Sequence, residues 1–223
     1  MKKLFVSNKD ESVRLFKSDL LEKFTHVHYL TPIVVFGPVV LYFIYQGFVD
    51  PLLGLIAGLG MFAAGVIAWS FTEYFLHRFV FHYHPKSEFG QRIHFLLHGV
   101  HHDYPNDSNR LVMAPLISIP LAFAFYYGFK TIMPVHLLYP YFAGFVSGYI
   151  FYDTLHYALH HLEFKNKMWI ALKTHHLKHH FKDPERGYGV SSPVWDVIVG
   201  SNFIKKEKKA QVGNQESNRS RAV

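Results

Sequence analysis

The sequence contains no cysteine among its 223 residues. This absence excludes disulfides, Cys-held zinc and iron–sulfur clusters, and it removes cysteine usage as a guide to the compartment. Charged residues are also scarce, at 17% of the chain against 50% hydrophobic residues. An average soluble domain carries about 25% charged residues. The shortage of charge therefore points away from an ordinary soluble enzyme.

The scarce charges are absent from four long stretches, which predicts four transmembrane helices. These uncharged runs are 26, 22, 19 and 22 residues long, and a membrane span needs about 20 mostly apolar residues. Small residues in the second run, namely Gly54, Gly58, Ala64 and Ala68, predict close helix packing. We expect an all-α integral membrane protein with spans at about 31–49, 52–73, 111–129 and 132–153.

Lys and Arg residues are distributed unequally between the connectors. Six precede the first span, four lie between the second and third, and twelve follow the fourth, whereas only Lys130 lies on the opposite side. Because Lys and Arg favour the cytoplasmic side, both termini and the middle connector are predicted to be cytoplasmic. Because these positive charges are concentrated on one side of the predicted spans, the net charge of +7 indicates a membrane protein and not a nucleic-acid-binding protein.

Two terminal segments flank the predicted membrane domain, which covers residues 31–202. Residues 1–30 are predicted to include an amphipathic helix from Val13 to Val27, lying on the membrane surface or against a cytosolic cap. The apolar stretch from Leu4 to Val6 is too short for a signal-peptide core, so we expect the first span to insert the protein. Residues 203–223 are polar and charged, and they are predicted to form a disordered basic tail.

Histidine is abundant, with 17 residues, and most of them fall in four short motifs next to the predicted spans. Imidazole is the commonest metal-binding side chain in proteins. Spacings of three and four residues place several imidazoles on one face of a helix. The four motifs HRFVFH, HGVHH, HYALH and HLKHH contain ten candidate ligands, which are His77, His82, His98, His101, His102, His156, His160, His176, His179 and His180.

Two spacings within the motifs carry further information. His77 and His82 are five residues apart, about 140° around an α-helix, so they serve different metals or lie where the helix is distorted. His101 and His102 diverge by about 100°, which suits two adjacent metal ions better than one. Ten imidazoles without a thiolate favour two redox-active iron ions over a structural zinc site with four ligands, although zinc can replace iron in purified material.

Carboxylates and further histidines near the motifs are candidates for orienting the metal ligands. Glu73 lies four residues before His77, and Asp153 lies three residues before His156. A carboxylate at such a distance can hydrogen-bond to the second ring nitrogen of a ligand histidine. The remaining supporting candidates are His84, His94, His161 and His175.

The motifs resemble those of the membrane fatty acid hydroxylase and sterol desaturase superfamily, most closely its fatty acid 2-hydroxylase branch. The resemblance covers about 71–201 and is carried by HRFVFH, HFLLHGVHHDYPNDSNRLVMAP, FYDTLHYALHH and KTHHLKHHFKDPERGYGVSSPVWDVIVG. It implies that the ten histidines hold a dimetal centre in a cytosolic helical cap, which lies over four transmembrane helices. It also implies an enzyme that uses O2 to insert one oxygen at carbon 2 of a long acyl chain in a fatty acid or sphingolipid.

Hydroxylation of this kind requires a supply of electrons. Eukaryotic relatives of the resembled branch commonly carry a fused cytochrome b5 domain, whereas about thirty residues precede the first predicted span here. No Gly-rich dinucleotide-binding motif is visible either. We therefore expect a separate electron donor, either cytochrome b5-like or ferredoxin-type with a reductase.

The histidine framework alone leaves other functions open. A carotenoid or sterol hydroxylase or desaturase can use the same scaffold, because the residues that line the spans set the substrate shape. A metal transporter needs polar groups near the bilayer midplane, which the predicted spans essentially lack. A membrane heme protein needs only paired histidines facing each other across spans. The sequence therefore favours a membrane-bound diiron oxygenase over these alternatives.

Overall fold

The computed structural model of the protein describes residues 4–203. Within this range the chain folds into nine α-helices, two of which continue as π-helical segments, and no β-strand is present. The helices are α1 Asp19–Lys23, α2 Thr31–Val49, α3 Leu55–Phe75, α4 Glu88–His94, α5 Val100–Asp103, α6 Pro115–Lys130, α7 Val135–His161, α8 Lys167–Phe181 and α9 Val194–Val199. The π-helical segments are Leu76–Phe81 and Phe95–Gly99. The predicted basic tail, apart from Phe203, lies outside the described residues.

Two helices are long and apolar enough to cross a membrane. They are α2 and the continuous helix Leu55–Phe81, which joins α3 to the first π-helical segment. The helix α2 coincides with the first predicted span. The second starts at Leu55 rather than at residue 52, because the carboxylate of Asp50 accepts the N–H of Leu52 at 2.9 Å and closes a turn there. The all-α class is confirmed, with two helices that meet the requirements for a span.

The helices in the region of the third and fourth predicted spans have shifted boundaries. The helix α6 starts at Pro115 instead of residue 111 and has 16 residues, or about 24 Å of helix. It starts late because residues 111–113 form an irregular segment that hydrogen-bonds to α7. The helix α7 has 27 residues and continues past residue 153 to His161. This extension carries the HYALH motif beyond the apolar part of the helix.

The helix α7 is central and packs along both α2 and α3. Its buried side chains Phe145 and Tyr149 contact Trp69 of α3 edge to face, at centroid distances of 5.2 Å each. The backbones of α3 and α7 approach closely at Gly65 and Gly144. A Cβ atom on Gly144 would lie 1.9 Å from a carbonyl oxygen of α3, and one on Gly65 would lie 2.0 Å from a carbonyl oxygen of α7. Only glycine allows this packing at the crossing.

Of the small residues predicted to permit close packing, Ala68 packs against the buried core, whereas Gly54 and Gly58 are not at this crossing. A Cβ on Gly54 would meet no atom within 4 Å, and one on Gly58 would make only ordinary contacts. The closest approach uses Gly65, which lies one residue after the predicted Ala64.

Most of the N-terminal segment is irregular instead of helical. The amphipathic helix predicted for Val13 to Val27 is limited to α1, which has five residues. The carboxylate of Glu22 in α1 accepts the N–H groups of Leu15 and Phe16 at 2.9 and 2.8 Å, and these bonds tie the preceding, non-helical chain to α1. We call residues 4–18 the strap. Its Ser7 N–H donates to the carbonyl of Asp103 at the end of α5, so the strap lies across the helices that carry the histidines.

Candidate metal centre

The ten candidate histidines form two clusters of five. In each cluster the five ring nitrogens that face one another lie within 4.8 Å of each other. The first cluster contains His77, His82, His98, His102 and His179. The second cluster contains His101, His156, His160, His176 and His180. The two clusters adjoin, since the rings of His102 and His180 stack at a centroid distance of 4.3 Å.

The partition between the clusters follows helix geometry. Residues four apart on a helix share a cluster, as His98 and His102 do in the first and His176 and His180 do in the second. The histidine three residues after the first one in each of these motifs, His101 or His179, reaches the other cluster. Each helix turn therefore supplies both clusters, and the predicted divergence of His101 and His102 is observed.

The pair His77 and His82 shares the first cluster despite its spacing of five residues. The N–H of His82 donates to the carbonyl of His77 at 3.1 Å, which is the i to i+5 bond of a π-helix. This wider turn brings the two side chains to the same side, where an α-helix would separate them. Of the two alternatives that the spacing left open, the distorted helix is the one observed.

Within each cluster the Nε2 atoms face one another at short distances. His98 Nε2 lies 3.1 Å from that of His77 and 3.0 Å from that of His102. In the second cluster, His176 Nε2 lies 2.8 Å from that of His160 and 3.1 Å from that of His180. Five converging nitrogens cannot all be satisfied by protons shared between them, whereas one cation can accept several lone pairs at once. Both clusters are thus able to bind metal ions.

Backbone carbonyls fix the orientation of three of these rings through the opposite nitrogen. The Nδ1 atoms of His77, His156 and His179 lie 2.5, 3.0 and 2.8 Å from carbonyl oxygens. These carbonyls belong to Tyr188, Leu111 and Arg186. A proton on Nδ1 leaves Nε2 with a free lone pair, the state that a metal ligand requires. The Nδ1 atoms of His101, His160, His176 and His180 are buried without a partner in the described part of the chain.

The surroundings keep the imidazoles neutral. Burial, together with the neighbouring imidazoles, lowers the pKa of His98, His101 and His102 well below the usual value. Burial also lowers the pKa of His179 to about 4, although the carbonyl of Arg186 opposes this shift. A neutral imidazole binds metal and a protonated one does not. The site is therefore in its metal-binding state at neutral pH.

Glu73 supports the first cluster indirectly. Its buried carboxylate accepts the N–H groups of Val190 and Ser191 at 2.7 and 2.8 Å, and also the hydroxyl of Ser191. These bonds hold the loop that presents the carbonyl of Tyr188 to His77. The predicted carboxylate is present, but it reaches the imidazole through the loop backbone and not directly.

Asp153 has the equivalent arrangement at the second cluster. Its carboxylate accepts the N–H of Met113 at 3.0 Å and the hydroxyl of Tyr149 at 3.0 Å. Two residues earlier, the carbonyl of Leu111 faces His156 Nδ1. Each carboxylate thus lies one helical turn before a histidine and clamps the backbone segment that orients that histidine.

A third carboxylate, that of Asp196, was not predicted. It is fully buried, and its carboxylate accepts the N–H groups of Tyr188 and Gly189 at 2.9 and 2.8 Å. The carboxylate also accepts the hydroxyl of Ser201 at 2.7 Å, and it lies 3.1 Å from Nε2 of His175. Burial raises the pKa of Asp196, but the hydrogen bonds from His175 and its other donors outweigh that effect and leave the pKa lowered. His175 therefore belongs to the support of the 187–190 loop, as a partner of Asp196.

The other supporting candidates lie outside the two clusters. His84 is exposed and lies 3.5 Å from Glu185, while its ring lies 5.6 Å from that of His94. The ring of His161 stacks on Tyr157 at 4.7 Å.

The carbonyls of Tyr188, Arg186 and Leu111 were also not predicted, because a backbone carbonyl leaves no mark in the sequence. The glycines around Tyr188 were the available signal, since Gly187 has a φ of 74° that favours glycine.

Comparison with known proteins places these features in context. Residues 62–201 match the family model described as fatty acid hydroxylase. The chain is 37% identical over 191 residues to a dihydroceramide fatty acyl 2-hydroxylase of Arabidopsis thaliana, covering 86% of this chain and 80% of the relative. It is 36% identical over 205 residues to the fatty acid 2-hydroxylase of Mus musculus, covering 82% of this chain and 55% of the relative.

A solved structure has the same fold. It is described as full-length scs7p, of which only the hydroxylase domain is visible. The two structures superpose with a TM-score of 0.80 at 35% sequence identity, and the match covers 85% of this chain and 72% of the other.

Proposed function

Because this chain belongs to the fatty acid hydroxylase family, we propose that it is a membrane-bound oxygenase that inserts one oxygen atom at carbon 2 of a long acyl chain. The substrate is a fatty acid or the acyl group of a sphingolipid, in keeping with the names of the relatives reported above. The single observation that carries the proposal is the pair of adjoining five-histidine clusters, which provides two metal sites side by side.

All ten clustered histidines act as metal ligands in this proposal, five to each of two iron ions. The donor set supports iron, because it consists of neutral nitrogens without thiolates, and zinc remains a substitute in purified protein. Bound iron ions would supply the activation of O2 for oxidation of an unreactive C–H bond. The protein side chains hold the ligand nitrogens in place, keep them unprotonated and exclude water from the buried clusters.

The acyl 2-hydroxylase is favoured over the other enzymes that the scaffold allows. The relatives reported above are named for fatty acyl 2-hydroxylation and not for carotenoid or sterol oxidation. Their similarity to this chain extends over more than four fifths of its length, including the helices that surround the site. Metal transport has no comparable support.

The membrane arrangement that fits this function has four transmembrane helices with the histidine clusters on the cytoplasmic side. Exposed apolar side chains on α2 and α3, such as Leu41 and Ile56, at 69% and 88% exposure, suit contact with lipid. The helices α6 and α7 complete the bundle as the third and fourth spans. The short link between them leaves the His-bearing end of α7 on the same side as the π-helical end of α3, as the distribution of Lys and Arg predicts.

A separate protein, cytochrome b5-like or ferredoxin-type with a reductase, supplies the electrons. Exposed basic side chains near the clusters support this proposal. Lys86 follows His82 on the connector, and Lys178 and Lys182 flank the last two ligands of α8. A basic surface attracts an acidic protein electrostatically and speeds its association.

The function is tested by lipid mass spectrometry of cells that express the chain. We expect acyl species with one added oxygen at carbon 2, in fatty acids or sphingolipids, that are absent from cells carrying an empty vector. The host must receive long-chain fatty acid, iron and an electron-donor system. If the iron-loaded protein oxidises supplied carotenoids or sterols but no acyl chain, the substrate assignment is wrong.

The role of Glu73 gives a second prediction. Replacing Glu73 by alanine removes the acceptor for the N–H groups of Val190 and Ser191, and a buried unpaired N–H costs about 1–3 kcal/mol. The loop then releases its carbonyl from His77, so we expect metal affinity to fall about 10–100-fold, as for the loss of other partners of metal ligands. Metal titration of the purified protein measures this change.

Two further variants serve as controls for this test. Glu73→Gln keeps one carbonyl oxygen that can accept the two N–H groups, so it should retain most of the metal affinity. The carboxylate of Glu163 is exposed on the loop after α7, and Glu163→Ala should bind metal as the wild type does. Equal affinity in Glu73→Ala and wild type would remove Glu73 from the support of the site.

A further inference from the structure

An apolar groove lies between three elements that border the histidine clusters. It has a volume of about 380 Å³ and is formed by α1 with the strap, by the helix from α4 into the second π-helical segment, and by the start of α6. Leu21, Phe24, Ile93, Leu97 and Ile117 line it. Small-molecule sites typically enclose about 300–1,000 Å³ and are lined mainly by apolar side chains. The groove therefore has the size and the chemistry of a ligand site.

The inner end of the groove lies one side chain away from the first histidine cluster. Phe81 lines the groove, and its ring stacks on that of His98 at a centroid distance of 5.3 Å. Val100 lines the groove as well, is buried, and lies between His98 and His101 in the sequence. A molecule in the groove thus ends against the helix that carries the HGVHH motif.

The outer end of the groove is surrounded by exposed apolar side chains. Leu21 of α1 and Phe24, the residue after α1, are each 49% exposed, and Leu116 at the start of α6 is 62% exposed. Apolar side chains in this position suit contact with lipid and not with water. The groove therefore opens toward the bilayer, so that a lipid chain can enter sideways.

The polar groups of the groove already have partners. Only Thr25 and Arg110 among its lining residues carry polar side chains. The guanidinium of Arg110 donates to the carboxylates of Asp107 and Glu22 at 3.0 and 2.7 Å and also contacts the hydroxyl of Thr25. No charge remains for a headgroup, so an uncharged alkyl chain is the matching occupant.

A second apolar groove is a weaker candidate. It is lined by residues of α2, α6 and the first part of α7, among them Phe43, Phe123 and Phe142. None of the residues that line this groove is a clustered histidine or stacks on one. A chain bound there has no path to the clusters along the groove lining.

We infer that the groove between α1, the α4 helix and α6 holds the alkyl chain of the substrate and guides it from the bilayer to the first histidine cluster. Leu97 and Ile117, from different elements, set the width of the passage, and Phe81 separates its end from His98. The inference rests on the proposed acyl hydroxylation and adds the binding site and direction of entry.

Filling the groove tests the inference. We expect Leu97→Trp and Ile117→Trp to lower the 2-hydroxylation of an 18-carbon fatty acid by about tenfold or more, because one misfitting methylene alone can cost that much in a pocket. Bound metal per chain should stay at the wild-type value. Phe123→Trp is the matched control, since it adds bulk on α6 in the second groove, and it should keep activity within about twofold of wild type.

A labelling experiment distinguishes failure of this inference from failure of the proposed function. The wild-type protein in detergent is irradiated with a fatty acid that carries a diazirine near its methyl end, and labelled peptides are identified by mass spectrometry. Label on peptides containing Leu21, Ile93 or Ile117 supports the groove whether or not turnover occurs. An active wild type with label only around Phe43 or Phe123, and with unimpaired tryptophan variants, would overturn the inference. A wild type without acyl hydroxylation would instead count against the proposed function.

Discussion

Replacing His102 by alanine is expected to reduce acyl hydroxylation to background, a loss of more than about 100-fold. His102 belongs to the first cluster, where its Nε2 lies 3.0 Å from that of His98. Its ring also stacks on His180 of the second cluster, so it lies where the two clusters meet. Loss of a partner behind a metal ligand costs about 10–100-fold, and loss of a ligand should cost more. Product formation by the purified, iron-loaded protein with an electron donor measures the effect.

The metal content of the same variant separates ligand loss from unfolding. The second cluster keeps all five histidines in His102→Ala, so we expect bound metal to fall toward one ion per chain and not to zero. His136→Ala and His84→Ala are the controls, because both residues lie outside the clusters. Each should retain two metal ions and activity within about twofold of wild type. Equal loss of activity in His102→Ala and His136→Ala would contradict the assignment of the clusters.

Helix periodicity in the sequence predicted which histidines come together, but it did not predict how they divide. His98, His101 and His102 project from one helix, yet two of them enter the first cluster and one enters the second. The division depends on which neighbouring helices each side chain faces. That arrangement is set by packing between α3, α7 and α8, which are distant in sequence.

The groups that support the ligand histidines were also only partly predictable from the sequence. Spacing alone singled out Glu73 and Asp153, and both are buried near the clusters. Their action passes through the backbone of the 188–191 and 111–113 segments, whose positions depend on the complete fold. Carbonyl groups occur in every residue, so the sequence cannot mark the three that orient the ligand rings.

Local sequence predicted the apolar helices better than it predicted their ends. The helix α2 matches the predicted span, since Pro32 lies in its first turn and the extended backbone of Asp50 ends it. The start of α6 is displaced because residues 111–113 serve the second cluster instead. The sequence from Val13 has the apolar periodicity of an amphipathic helix. The carboxylate of Glu22 nevertheless accepts the backbone N–H groups of Leu15 and Phe16, so these groups are hydrogen-bonded without a helix.

Replacing Gly144 by alanine is expected to destabilise the protein by roughly 3 kcal/mol or more, because the added Cβ would lie 1.9 Å from the carbonyl oxygen of Phe62. Backbone atoms of α3 cannot give way as a flexible side chain can, so α3 and α7 must separate. Thermal unfolding in detergent measures this loss. Gly60→Ala on α3 is the matched control, since its Cβ would meet no atom within 4 Å and alanine favours a helix.

The helix crossing at Gly144 also positions both clusters, which makes the metal content of this variant informative. The helix α7 carries His156 and His160, and the π-helical end of α3 carries His77 and His82. Separation of α3 from α7 should therefore weaken metal binding at both clusters, whereas His102→Ala affects the first. If Gly144→Ala unfolds at the same temperature as Gly60→Ala and keeps two metal ions, the close crossing is not what holds the two histidine clusters together.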